Sequence, residues 1–354
     1  MIYTKIAFDN QKHVFIIAEA GSNWKSKNEK LDLIKAKKLI DVAAKSGADA
    51  IKFQVYSSKN VYVTNAGRSN YLSKSGITKS INEIFDEFSM PYKFLKILSN
   101  YCKKKKIIFM STPFSIKDAK AVDPYVHLHK IASYELNHLP LLKFIAKTKK
   151  PVLISTGASN VDEIDYAVSI LKKFGSKQIG IMQCTAKYPA PQNSLNLSVI
   201  PELKKRYNLS IGLSDHSIDP FLAPLISYGL GATIIEKHFT LDKSDDGPDH
   251  FFALNPSELK NMISSIRNAE KTYGIEKKII LKEEKELRKF AVRSIHAITK
   301  IEKGDVFKLG INFEILRPGN VKRGADARFL DQIDGKLAKK SFNIDNGIFP
   351  KDCK

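Results

Sequence analysis

Eight times along this chain a near-continuous apolar run of strand length is followed by a helix-like stretch, and this alternation constrains the fold more than any other feature. The runs are VFIIAEAG (14–21), ADAIKFQVY (48–56), IIFMSTPF (107–114), VHLHKIAS (126–133), PVLISTG (151–157), IGIMQCT (179–185), LSIGLSDHS (209–217) and GATIIEKHFT (231–240). Strands buried on both faces and separated by helices form parallel sheets. The first helix puts Leu33, Ala36, Leu39, Ile40 and Ala43 on one stripe and stops at Gly47. Asp219-Pro220 opens a helix between the last two strands, with Gly229 and Gly231 at its end. Thr112-Pro113 reads as a helix N-cap with proline in the first turn. An open doubly wound sheet shares this alternation, but no G-x-G-x-x-G follows the first strand, so a dinucleotide site is not expected. The expected fold is therefore α/β, a (β/α)8 TIM barrel, with NPSELKNMISSIRNAEKTYG as its closing helix.

The polar residues fall at the strand ends. Glu19, Lys52, Gln54, Ser111, Thr112, Lys130, Ser133, Ser155, Thr156, Cys184, Thr185, Ser214, His216, Glu236 and His238 all lie there. In a barrel those ends form one rim, where the fold places its chemistry. Capping accounts for Thr112, Ser155 and Thr156. It does not account for Lys52, Lys130, Glu19 and Glu236, because unpaired buried charge is costly. Period-two alternation puts Gly212, Ser214 and His216 on one face, and Ile234, Glu236 and His238 on another. Two imidazoles converging there could hold a divalent metal. Two lysines beside helix N-termini make a cradle for phosphate or carboxylate.

Composition narrows the function classes. The net charge of +21 invites a nucleic-acid partner, but only eight of the 58 basic residues are arginine, and no reading or stacking motif accompanies them. No nucleic acid is expected, and an anionic substrate is the better use of the charge. Cys102, Cys184 and Cys353 fit neither a disulfide framework nor a zinc knuckle. MIYTKIAFDN does not read as a signal peptide, and no apolar run reaches membrane-spanning length. A soluble, cytoplasmic chain with no membrane partner is expected.

The residues also carry a resemblance. In order, IAEAG with Asn23, GADAIKFQ, FMSTPF, KIASYEL, STG, CTAKYPAP, GLSDHS, IIEKHFT and GPDH resemble the sialic acid synthase family, which includes N-acetylneuraminate, legionaminate and pseudaminate synthases. Further on, RSIHAITKIEKGDVF, ILRPG and IDGKLAKKSFNIDNGI resemble the antifreeze-like SAF domain those synthases carry. The resemblance divides the chain into a barrel over 1–273, a charged linker over 274–290 and a SAF domain over 291–354.

What it implies is condensation of phosphoenolpyruvate with the open-chain aldehyde of an N-acylated amino sugar, giving a nine-carbon 2-keto acid and phosphate. The sugar would be N-acetylmannosamine or a diacetamido-deoxyhexose. Carried over by position, His216 and His238 are the metal ligands, with manganese the expected ion and cobalt or magnesium also suitable. Lys52, Thr112, Lys130, Ser133, Ser155 and Ser214 match the phosphoenolpyruvate contacts. Glu19, Gln54, Glu135, Tyr188 and Asp249 match sugar-side and catalytic positions, with Glu135 or Glu19 the general base. Arg317 matches a residue that the SAF domain lends to the neighbouring subunit of a homodimer. The metal would polarise the aldehyde, and Asp215 and Glu236 would support rather than react.

Some positions depart from the family pattern. Trp24 follows Asn23 where histidine is usual, which puts the role of that loop and the sugar specificity in question. Gln183 and Ala186 stand where His and Ser or Asn are common, and His250-Phe251-Phe252-Ala253 is unusually aromatic, as if facing the acyl or side-chain end of the sugar. Two other classes fit less well. One is another phosphoenolpyruvate-dependent aldol-type synthase acting on a different aldose, which leaves Arg317 unexplained. The other is a non-catalytic SAF-bearing binding protein, which predicts loss of the metal and phosphate positions.

Overall fold

The structure is a computed structural model that describes residues 8, 10, 12–68, 79–275 and 277–354. Most of MIYTKIAFDN, read above as no leader, therefore lies outside the described residues, as do residues 69–78 after the second strand. The chain divides into two compact units, Met1–Gly274 and Ile275–Lys354.

In the first unit the strands are β1 Phe15–Gly21, β2 Ala50–Val55, β3 Ile108–Pro113, β4 His129–Ile131, β5 Val152–Ser155, β6 Ile179–Cys184, β7 Ser210–Asp215 and β8 Ile234–His238. They form one sheet in the order β3-β2-β1-β8-β7-β6-β5-β4, and every ladder in it is parallel. The end strands β3 and β4 lie against each other, so the sheet curls into the expected (β/α)8 barrel. Each strand is followed by its main helix: α1 Glu29–Ser46, α2 Tyr92–Lys105, α3 Ile116–Val122, α4 Leu139–Lys147, α5 Val161–Lys173, α6 Val199–Tyr207, α7 Leu222–Gly229 and α8 Pro256–Tyr273.

Local chemistry explains these boundaries. Helix α1 starts where the Asn28 side chain accepts from the Leu31 amide and ends where Gly47 takes a left-handed conformation. It buries Ala36, Leu39, Ile40 and Ala43 against the strands. Asn160 with Glu163 and Asn255 with Glu258 form capping boxes for α5 and α8. The Thr112-Pro113 pair behaves differently from its sequence signal. Both residues are the last of β3, in register with Gln54 and Val55, and Ser115 caps α3 instead. Pro113 is tolerated because β3 ends the ladder order.

The barrel interior is layered. Its lower part is apolar, with Phe8, Phe15, Ile17, Met110, Leu153, Met182 and Ile234 packed together. Gly212 is required in this wall, since a Cβ there would sit 2.6 Å from the Ile234 carbonyl oxygen. Between β2 and α2, the short helices Ser58–Val61 and Ile81–Glu87 gather an aromatic cluster of Tyr56, Tyr62, Phe85 and Phe114.

The second unit contains helix α9 Lys285–Ala291 and an antiparallel pair, β9 Ser294–Ala297 and β10 Phe313–Leu316. Its own core is built on Ile295, Ile301, Phe307, Phe313, Phe342 and Ile348. The Gly319 amide donates to the Phe290 carbonyl, which ties the end of α9 to the loop after β10. Gly324 and Gly347 pass so closely that a Cβ on either would enter the other's backbone.

Candidate active site at the carboxyl mouth of the barrel

Above the apolar layer, inward positions of the strands turn polar. Lys52 on β2 and Lys130 on β4 are 3% exposed at the side chain, as befits the barrel interior. The Lys52 ammonium meets Glu19 Oε2 at 2.8 Å and donates to Thr112 Oγ1 at 2.8 Å. Lys130 donates to Ser155 Oγ at 2.6 Å. Glu236 Oε1 lies between the two cations, 3.6 Å from Lys52 and 3.5 Å from Lys130, and accepts from Ser214 Oγ at 3.2 Å. Thus neither Thr112 nor Ser155 spends its hydroxyl on a helix cap.

Burial alone would strip charge from this quartet, and the partners decide which groups keep it. Lys52 is desolvated, yet Glu19 and Glu236 hold its ammonium above the ordinary lysine range. Burial would also raise Glu236, but Lys130 and Lys52 hold it below the usual carboxylate value. For Lys130, burial prevails over Glu236 and lowers it. Glu19 is raised, chiefly by burial, and accepts from Gln54 Nε2 at 2.9 Å. Glu236 Oε2 has no hydrogen-bond partner. Two cations with hydroxyls beside them form a floor able to accept an anion.

One layer further out are the histidines. Their ring centroids are 5.4 Å apart. His216 Nδ1 lies 2.9 Å from the Thr185 carbonyl oxygen, an arrangement in which Nδ1–H donates and Nε2 keeps its lone pair. His238 is held well below the ordinary histidine value by burial and by neighbouring cations, so it is neutral, and its Nδ1 is buried without a hydrogen-bond partner. Tyr188 stacks on His216 at 4.0 Å between centroids, and Phe252 packs 5.2 Å from His238. Among the described residues no group of three or more His, Cys, Asp or Glu side chains is placed to hold an ion. The donor set fits a borderline divalent ion held by two imidazoles and completed from outside the protein.

Two more carboxyls face this region. Glu135, just after β4, is buried, with Oε2 unpaired, and burial pushes it up to about 7 against the pull of Lys130. Asp249 is likewise pushed up to about 7 by burial, reinforced by Glu19, and its Oδ2 lies 3.6 Å from His238 Nδ1. Ser133 Oγ accepts from the Gly157 amide at 2.9 Å. Arg317 belongs to the second unit, where it is exposed immediately after β10.

The atypical positions resolve in part. Trp24 is fully buried in the hydrophobic core, edge-on to Phe94, so it fills volume rather than lining the mouth. Gln183 donates to the Leu195 carbonyl at 3.1 Å, a loop-holding bond. Of the aromatic stretch, Phe252 packs on His238 while His250 is buried against Thr240. The residue that motif reading missed is Lys237, buried on the opposite face of β8. A charge at an outward position of a two-sided buried strand is itself the signal that could have found it.

Comparison with known proteins gives this mouth a context. Residues 39–278 match the NeuB family. The chain is 40% identical to the spore coat polysaccharide biosynthesis protein SpsE of Bacillus subtilis, over 95% of this chain and 92% of that protein. It is 38% identical to the N,N'-diacetyllegionaminic acid synthase of Campylobacter jejuni, over 95% of this chain and 99% of that one. A crystal structure of N-acetylneuraminic acid (sialic acid) synthetase from Leptospira borgpetersenii, in complex with citrate, superposes with a TM-score of 0.68 at 34% identity, over 78% of this chain and 90% of that one.

Proposed function

The chain belongs to the NeuB family, and on that premise we propose that it condenses phosphoenolpyruvate with the aldehyde of an N-acylated amino sugar to give a nonulosonic acid and phosphate. Membership makes it a phosphoenolpyruvate-dependent, C–C bond-forming transferase of the sialic acid synthase type. The observation that carries the fuller reading is the pair of buried ammoniums, Lys52 and Lys130, with Thr112 and Ser155 bonded to them one layer below His216 and His238.

In this reading Lys52 and Lys130 neutralise the phosphate and carboxylate of phosphoenolpyruvate, and Thr112, Ser133, Ser155 and Ser214 orient them. Gln54, Tyr188 and Asp249 face the sugar. A divalent ion held by His216 and His238, manganese first, would supply Lewis-acid polarisation of the aldehyde when bound. The C2=C3 electron pair forms the new bond to the aldehyde carbon, whose oxygen takes up a proton. Water adds at C2, and its proton passes to Glu135. A carboxyl pushed up to about 7 with one unpaired oxygen suits that role, whereas Glu19 is engaged by Lys52 and Gln54. The tetrahedral centre then expels phosphate with its bridging oxygen and leaves the ketone.

We extend the proposal to the second unit as an antifreeze-like SAF domain that lends Arg317 to the partner barrel of a homodimer, a planar cation suited to a sugar's acyl oxygen. The test is phosphate release from phosphoenolpyruvate with N-acetylmannosamine, a 2,4-diacetamido-6-deoxymannose and its altrose isomer, each with manganese. Turnover of at least one supports the proposal. Turnover of erythrose 4-phosphate or arabinose 5-phosphate alone would replace the acceptor class.

A further inference from the structure

On each histidine strand the preceding side chain points the other way, out through the barrel wall. Those two outward residues are Asp215 on β7 and Lys237 on β8, which are register partners. Both are buried, 1% exposed, and the Lys237 ammonium lies 2.6 Å from Asp215 Oδ2. The ammonium also donates to the Ser217 carbonyl at 2.5 Å and to the Asp219 carbonyl at 3.0 Å, with Ser217 Oγ at 3.1 Å. Asp215 Oδ1 accepts from the Ser217 amide at 2.8 Å. A single cation from β8 thus gathers oxygens from 215, 217 and 219, the stretch that contains His216.

The loop carbonyls have left the strand ladder, and an apolar side chain at 237 would leave them buried without donors. Asp219 continues the chain of support, accepting from the Phe221 and Leu222 amides at the start of α7. The carbonyl of His216 is held by the Ala190 amide and that of His238 by the Leu254 amide. The backbone at both imidazoles is therefore tied before any ion arrives, and the two histidine strands are joined through side chains by Ser214–Glu236 on the inner face and by Asp215–Lys237 on the outer.

We propose that the Asp215–Lys237 clasp is a positioning device that presets His216 and His238 at ion-binding separation. The proposal rests on the metal reading above. With only two protein ligands, the site gains affinity chiefly by having them in place beforehand.

The test uses the whole protein, stripped with chelator, and titrates Mn2+ by calorimetry and electron paramagnetic resonance. Asp215→Asn/Lys237→Met removes both charges while keeping the Oδ1 acceptor for Ser217. It should weaken Mn2+ binding roughly tenfold or more, the usual effect of losing an outer support of a ligand. Metal-free phosphoenolpyruvate binding, measured in the same sample, should weaken less than Mn2+ binding, because of its proposed contacts only Ser214 lies on a histidine strand. A folded double variant that binds Mn2+ like the wild type overturns the proposal, even if its melting temperature has dropped. A second measurement needs no variant: crystal structures of the wild type with and without Mn2+ should agree in the position of each imidazole to within about 0.5 Å. Rings that swing together only when the ion binds would overturn it equally. Failure of the wild type itself to bind Mn2+ would sink the metal reading, a result distinct from loss in the variant alone.

Discussion

Glu135 is a carboxyl whose place after β4 sets both its chemistry and its cost. It is raised from an ordinary value of 4.5 to about 7, mainly by burial. Between those limits the native state keeps a proton that the unfolded chain has released, so stability falls as pH rises through the window. The loss is complete above the folded value and amounts to about 3 kcal/mol. Glu135→Gln should therefore be more stable than wild type at pH 8 by roughly that amount, with the difference vanishing near pH 4, as read by urea denaturation at both values. An equal difference at the two pH values would show that burial of the charge is not the cause. The same substitution should remove most turnover if Glu135 takes the proton of water. For the histidines, chelator should abolish activity and Mn2+ restore it. Either His216→Ala or His238→Ala should lower kcat about a hundredfold or more at saturating Mn2+. Full turnover by metal-stripped protein would retire the ion.

At the scale of elements, the strands were legible because a strand covered on both faces has to be apolar almost throughout, and helices must show their stripe. Legibility failed where two physical signals compete for one residue. Thr112-Pro113 carries the composition of a helix start, yet the ladder to Gln54 and Val55 holds both in β3, and the cap moves to Ser115. The two assignments make opposite predictions. Ser115→Ala should cost about 1 kcal/mol of stability, the usual value of an N-cap. Thr112→Ala should leave the helix intact and raise the KM for phosphoenolpyruvate, since its hydroxyl serves Lys52. Melting curves beside steady-state kinetics separate them, and a Thr112→Ala protein that loses stability but not affinity would reverse the assignment. The strand-end lysines were legible as a candidate site because no structural rule places charge there. Lys237 was not, because its partners at 217 and 219 come from loop geometry that a linear pattern does not encode. Trp24 shows the converse, a residue whose position suggested function and whose surroundings are core.

For the whole molecule, the two units have separate cores, and the proposed joint site makes their partnership measurable. Arg317→Ala and His238→Ala each disable a different part. If the arginine serves the partner's barrel, co-expressed subunits mixed at random form about half heterodimers, each with one complete site, and roughly a quarter of wild-type activity returns. A verified heterodimer without activity would mean that each subunit completes its own site, whereas an active Arg317→Ala homodimer would mean that Arg317 has no part in it.

The apolar layer beneath Lys52 and Lys130 has a kinetic consequence. Among the described residues, Phe8, Ile17, Met110 and Met182 pack together beneath the lysines, which makes the barrel a well approached from the histidine end. Traffic in such a well is last in, first out. In the proposed reaction, the ligand on the lysines has to enter ahead of the sugar and depart behind the sugar-derived product, so inorganic phosphate should be the final passenger. Phosphate would then compete with phosphoenolpyruvate for the vacant enzyme, and no concentration of phosphoenolpyruvate-free sugar would displace it. Product-inhibition patterns with each substrate varied in turn read that order directly, and a phosphate that competes with the sugar instead would mean the well has a second opening.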